Sequence, residues 1–233
     1  TNIAKAGIKA YLMKPSIKTK KKLFSLRPTE PALFNALNLI DKTLPSKVIS
    51  HFDKSQEKIN KYVNKKIKNK SIVYTHCHSS TIFKSLIYAK KKGKKFEVYN
   101  TETRPLYQGR KIARELSKEK IKVTTFIDSG MHEAIKNCNL VLLGADAILK
   151  SGVINKIGSA VVAEIARVHK KPLYIVSDSW KFYEKNIKLE ERDFHEVWKR
   201  IPKNVKVKNP AFEKIPKKYI SGIISEKGIL KYS

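Results

Sequence analysis

Six consecutive polar residues, His76-Cys77-His78-Ser79-Ser80-Thr81, concentrate much of the reactive chemistry of this chain. Cys77 between two histidines is a base or nucleophile if it sits where a helix begins. A helix start and a protonated imidazole both lower a thiol pKa. The competing reading is a small inert hydrophobe, which suits the second cysteine, Cys138. Ser79, Ser80 and Thr81 offer hydroxyls and free backbone N–H groups to a phosphate; the alternative is ordinary helix capping. Asp146 follows the apolar run Val141-Leu142-Leu143. A carboxylate there is costly unless it serves a purpose, and burial suits it to donating a proton. The alternative is a turn-forming Asp in Gly144-Ala145-Asp146-Ala147. Asn155 and Lys156 are expected to open a helix and meet an anion there, with Lys181 as a second cation. His76, Cys77 and His78 make poor common zinc ligands, because adjacent strand-end residues point in alternating directions. Neither a CxxC nor an HExxH pattern occurs, and no metal is expected.

The elements that must carry these residues follow from periodicity. Ile8, Tyr11, Leu12 and then Leu33, Leu37, Ile40 recur at helical spacing. Arg27-Pro28-Thr29-Glu30-Pro31 reads as a rigid turn in which Thr29 caps the next helix, and 47–66 reads as an amphipathic helix. From residue 71 short apolar runs alternate with helical stretches. Strands are predicted at 71–75, 96–100, 123–127, 140–143 and 172–176, with helices near 80–92, 109–119, 130–137 and 156–169. A last strand is predicted at 220–224. This alternation predicts an α/β chain with a Rossmann-like, doubly wound parallel sheet. The expected division is a small helical domain over 1–66 and a Rossmann-like catalytic domain over 67–233. Ligands in such sheets bind at the carboxyl ends of the strands. The segments after five strands, including Thr101–Pro105, Asp128-Ser129 and Ser177–Lys181, are therefore expected to converge on one crevice.

The chain has 233 residues and a formal net charge of +30. Of its 50 basic residues, 43 are Lys and 7 are Arg, spread along the whole chain. Specific nucleic-acid readers lean on Arg forks and on interleaved aromatics. A solvated lysine surface is the simpler reading, and a field that draws in phosphorylated molecules is the functional one. Hydrophobic residues at 41% exclude a largely disordered chain. No run approaches 18 apolar residues, so no membrane helix is expected. Two cysteines exclude a disulfide framework and point to a reducing cytoplasm.

Taken together, Cys77-His78-Ser79-Ser80-Thr81, Thr101–Pro105 with Gln108-Gly109, Gly144-Ala145-Asp146, Asn155–Gly158 and Lys181-Phe182 stand in the order of one superfamily. The chain resembles the translation initiation factor 2B alpha/beta/delta superfamily, which includes methylthioribose-1-phosphate isomerase and archaeal ribose-1,5-bisphosphate isomerase. The resemblance runs from Arg27-Pro28-Thr29 to Ser225–Ile229. The Cys-His-Ser-Ser-Thr form and Lys181 before Phe182 are most similar to the bisphosphate branch. The resemblance implies catalytic Cys77 and Asp146, with substrate contacts from Arg27, Ser79, Ser80, Thr81, Arg104, Gln108, Asn155, Lys156 and Lys181. It implies an aldose–ketose isomerase taking ribose 1,5-bisphosphate to ribulose 1,5-bisphosphate in nucleoside and AMP catabolism. No cofactor is required. The partners implied are a bisphosphorylated pentose substrate, a homo-oligomer (dimer or hexamer), and an initiation factor or nucleotide effector, without a membrane. Two alternatives stand beside it, a regulatory subunit without catalysis and a methylthioribose-1-phosphate isomerase. The family's Arg-Gly-Ala phosphate segment belongs just upstream of Thr1, so truncation at that end is one expectation and a different hold on the first phosphate the other.

Overall fold

The computed structural model describes residues 2–26 and 29–232. Arg27, an expected substrate contact, lies outside the described residues. Four helices come first: α1 (Asn2–Met13), α2 (Ile17–Leu26), α3 (Pro31–Ile40) and α4 (Pro45–Lys66). Apolar residues of α1, α3 and the first half of α4 meet in one cluster around Ile8, Leu33, Leu37 and Phe52, while Ile59 and Val63 of α4 join the core of the sheet that follows. α3 begins with Pro31 in its first turn, where a missing N–H costs nothing. The residue at its cap position is Glu30, with no side-chain capping bond, so Thr29 does not cap this helix as the sequence suggests.

A seven-stranded sheet follows, in the order β10-β9-β7-β4-β1-β2-β3. Its strands are β1 (Ser71–Thr75), β2 (Phe96–Thr101), β3 (Lys122–Phe126), β4 (Leu140–Leu143), β7 (Leu173–Val176), β9 (Gly222–Ser225) and β10 (Gly228–Leu230). All pairs are parallel except β9–β10. Every residue of β4 is buried, as expected of a strand covered on both faces. Helices α5 (Ser80–Lys91), α6 (Gln108–Lys118), α7 (Met131–Lys136) and α8 (Ser159–Val168) pack on the two faces. They enclose one core cluster containing Val73, Ile82 and Leu86 and another containing Val141, Val162 and Ile175.

The topology sets the place of the site. From β1 the chain moves outward to β2 and β3, then returns to β4 on the other side of β1. The carboxyl ends of β1 and β4 therefore flank the point where strand order reverses, where open α/β sheets form their crevice.

A second sheet was not legible in the sequence. β5 (Ala147–Leu149), β6 (Gly152–Lys156) and β8 (Phe212–Pro216) form an antiparallel three-stranded sheet beside the first. It corrects one expectation: Asn155 and Lys156 end a strand and do not open a helix, and α8 starts only at Ser159. Gly158 carries the chain between them at φ +96, a conformation that favours glycine.

Candidate active site

A cavity of about 610 Å³ opens at the predicted crevice. That size suits a small phosphorylated metabolite. It is lined by His76 to Thr81 after β1, Gly144 to Asp146 after β4, Asn155 and Lys156 at the end of β6, Gln108 of α6, and Lys181. The two residues that sequence reasoning singled out for proton chemistry, Cys77 and Asp146, thus share one cavity. Lys111, Lys156, Lys181 and Arg192 bring four cations to the lining against the carboxylates of Glu30 and Asp146. The balance favours an anionic occupant.

Cys77 is held in a strained backbone. Its φ is +63, in the left-handed region that side chains other than Gly rarely adopt. Such strain costs roughly 1–3 kcal/mol and concentrates at functional sites. The thiol does not behave as its flanking histidines suggest. Burial pushes it up to about 11; a backbone bond at His78 opposes the rise, the Asp146 carboxylate adds to it, and Lys156 opposes it. Both flanking imidazoles are bonded to other groups. His76 is buried, with Nε2 2.8 Å from the carbonyl oxygen of Ile157 and Nδ1 3.1 Å from the Thr101 hydroxyl. Burial depresses its pKa, so it is neutral. The carbonyl can only accept, so Nε2 carries the proton and Nδ1 accepts from Thr101. His78 turns to Glu115, 2.7 Å away. The two rings therefore fasten the ends of the loop to neighbouring elements.

Ser79 settles part of the choice between capping and phosphate binding. Its hydroxyl accepts from the N–H of Ile82 at 3.4 Å and so caps α5, whose first turn contains Ser80 and Thr81. All three still line the cavity. Gly144 permits this fit: a Cβ there would stand 3.1 Å from Ser79 Oγ. Asn155 donates to Ser159 Oγ at 2.9 Å, and that hydroxyl donates to the Lys156 carbonyl at 2.6 Å, fixing the end of β6. The Asp146 N–H donates to the Ile154 carbonyl at 2.8 Å, which ties the end of β4 to the second sheet.

Lys181 is buried among carboxylates. Its ammonium donates to the Ala145 carbonyl at 2.6 Å and faces Glu30 at 3.5 Å. Burial alone would lower its pKa, but Glu30, Asp146 and Asp178 outweigh it and hold the group above its ordinary value. The lysine stays charged and grips the residue next to Asp146.

Some expected contacts lie elsewhere. Arg104 is not among the lining residues; its guanidinium meets the Tyr107 hydroxyl and the Val197 carbonyl. The expectation of five converging strand ends holds for β1, β4 and the 3-10 turn that follows β7. Thr101–Pro105 and Asp128-Ser129 stay outside the cavity wall. Cys138 is buried in the core, as its inert reading requires. Three charged lining residues were missed. Lys111 lies three positions after Gln108 on α6, a spacing that puts both on one helix face and could have exposed it. Glu30 and Arg192 gave no such signal. Arg192 reaches the cavity because its N–H donates to the Asn209 carbonyl, and its guanidinium is bound to Glu196 at 2.9 Å.

Comparison with known proteins agrees with this architecture. Over 230 residues the chain is 34% identical to a ribose 1,5-bisphosphate isomerase of Archaeoglobus fulgidus, covering 89% of this chain and 74% of that protein. A Methanocaldococcus jannaschii protein of the same name is 35% identical over 228 residues, with the same coverage. The crystal structure of a Pyrococcus horikoshii translation initiation factor eIF-2B superposes with a TM-score of 0.89 at 26% identity, over 98% of this chain and 90% of that one. A 5-methylthioribose 1-phosphate isomerase of Pyrococcus horikoshii shares the fold, with a TM-score of 0.74 at 23% identity, over 98% of this chain and 79% of that one. Residues 11–232 match the Initiation factor 2 subunit family, and the chain belongs to that family.

Proposed function

We propose that this chain is a sugar-phosphate isomerase that converts ribose 1,5-bisphosphate to ribulose 1,5-bisphosphate, with Cys77 and Asp146 as its proton-transfer pair. The observation that carries the reading is the meeting of these two groups in one cation-lined cavity at the β1/β4 crevice. The names of the relatives from Archaeoglobus fulgidus and Methanocaldococcus jannaschii support it.

The anomeric phosphate blocks spontaneous ring opening, so the ring oxygen needs an acid. Asp146 in its acid form donates to that oxygen as the C1–O bond breaks. The Cys77 thiolate removes the C2 proton, and a C1=C2 enol bearing the C1 phosphate forms. The thiol then returns its proton to C1, and Asp146 takes the proton of the C2 hydroxyl. A C2 ketone results and both groups regain their starting states. Each such partner is worth about 10²- to 10⁴-fold.

The resting thiol is protonated, so the pair starts with its negative charge on Asp146. Moving the proton from Cys77 to Asp146 gives the active form without changing the net charge. It also removes the carboxylate that raises the thiol. In this reading Ser79, Ser80, Thr81, Asn155, Lys156 and Lys181 hold the phosphates and hydroxyls, Gln108 and Lys111 line the same cavity, and Arg27 and Arg104 are further substrate contacts. Residues 1–66 form a helical domain beside a catalytic domain at 67–233, and Ile3 and Glu30 line the cavity from that side. The active species is a homo-oligomer, which sedimentation velocity tests.

A second reading rests on the likeness to an eIF-2B structure at TM-score 0.89. There the cavity binds the anion without turnover and the chain acts as a regulatory subunit. Incubation with ribose 1,5-bisphosphate, followed by phosphorus NMR, separates the two. Appearance of the ketose bisphosphate supports the isomerase, and saturable binding without product supports the regulator. Methylthioribose 1-phosphate run in parallel tests the need for the second phosphate.

A further inference from the structure

Cys77 does not hold its left-handed backbone alone. Its N–H donates to Thr103 Oγ1 at 3.1 Å, across from the end of β1 to the end of β2. The Thr103 hydroxyl in turn donates to the Thr101 carbonyl at 3.3 Å. Thr103 is itself a β-branched residue at φ +58, where such a residue is a genuine outlier. Asp128, at the end of β3, secures that outlier with both carboxylate oxygens. One accepts from the Thr103 N–H at 2.8 Å and the other from the Arg104 N–H at 2.7 Å. Thr103 is 1% exposed, and neither Thr103 nor Asp128 lines the cavity.

We propose that Thr103, locked by Asp128, is the positioning residue that sets Cys77 at the cavity. The inference rests on the assignment of Cys77 as the base. It gives a task to the polar ends of β2 and β3, which face away from the ligand space. A simple loop brace needs no β-branched residue in a strained conformation whose hydroxyl receives the reactive residue's own N–H. Here two strained backbones are joined by one hydrogen bond, and a carboxylate from a third strand holds the joint. A base displaced by about an ångström loses up to about 10²-fold in rate.

The test compares Thr103→Val, which keeps shape and removes the acceptor, with Thr103→Ser, which keeps the acceptor. Thr103→Val is expected to lower kcat on ribose 1,5-bisphosphate by about 10- to 100-fold with KM changed less than about threefold. Thr103→Ser should stay within about threefold of the parent, and Asp128→Asn should fall between the two. A second readout needs no substrate: the iodoacetamide alkylation rate of Cys77, followed by peptide mass spectrometry. It should change by at least about threefold in Thr103→Val and stay at the parent value in Thr103→Ser. Should the parent protein lack isomerase activity, the isomerase reading fails while the alkylation comparison still decides the positioning role. Parent-like kcat and alkylation in Thr103→Val overturn the proposal, as does a Thr103→Ser variant as impaired as Thr103→Val.

Discussion

The ammonium of Lys181 lies 2.6 Å from the carbonyl oxygen of Ala145, the residue immediately before Asp146. A lysine from the turn after β7 thereby fixes the end of β4 and places its charge beside the proposed acid. Replacing it with methionine removes one of the groups that partner the buried Glu30, which it faces at 3.5 Å. Breaking such a pair costs about 3–5 kcal/mol. Lys181→Met should therefore lower the free energy of urea unfolding by about 3 kcal/mol and reduce kcat/KM by at least about 10²-fold. Unchanged stability would mean that the pairing with Glu30 contributes nothing to the fold.

Cys77 and Asp146 should be separable from folding. Cys77→Ser and Asp146→Asn each keep the size of the side chain, so circular dichroism and Tm should stay close to the parent. Turnover of ribose 1,5-bisphosphate should drop by at least about 10²-fold in each. Near-normal turnover in either variant rejects the assigned role.

The protonated resting thiol makes a prediction about pH. Iodoacetamide reacts with the thiolate, so alkylation of Cys77 should accelerate about tenfold per pH unit from pH 7 and level off only near 11. In Asp146→Asn the carboxylate's contribution is gone, and the levelling point should move down. Isomerase activity should behave differently. The active form carries one proton on the pair, and its population does not change with pH between the two titrations. Turnover that tracks the alkylation profile upward would falsify the shared-proton arrangement.

His76 predicts where acid begins to unfold the protein. Its pKa in the folded chain lies below the ordinary 6.5, because burial excludes the charged form. The unfolded chain therefore takes up the proton first. Stability from this group is complete above pH 6.5 and is lost as pH falls toward the folded value, at no more than about 1.4 kcal/mol per pH unit. Urea midpoints measured from pH 7.5 to 5 should show this slope, and His76→Gln should flatten it. An unchanged slope in that variant assigns the acid sensitivity to other groups.

The parallel sheet was readable because each strand is a short apolar run bounded by turn residues. Ser71–Thr75 and Leu140–Leu143 form where the pattern put them, and with them came the location of Cys77 and Asp146. The second sheet was hidden because β5 and β6 are joined by a two-residue turn inside a stretch that reads as the approach to α8. The second partner of β6, β8, lies more than fifty residues away, and pairing at that distance leaves no local signal. The thiol's direction was misread for a related reason. Neighbouring histidines in sequence imply nearby cations, but their rings are committed to Ile157, Thr101 and Glu115, and burial outweighs what remains.

Strand β8 has a consequence for how the protein is made. Asn155 and Lys156 are held opposite Glu213 and Phe212, and β9 must slot beside β7 in the larger sheet. A nascent chain that has emerged only as far as residue 200 already contains Cys77, Asp146 and Lys181, yet one wall of their chamber still lacks its backing. The candidate site is thus enclosed only after residues 212–225 have been made, and release before that point would yield a chain with these groups and no enclosed place to use them.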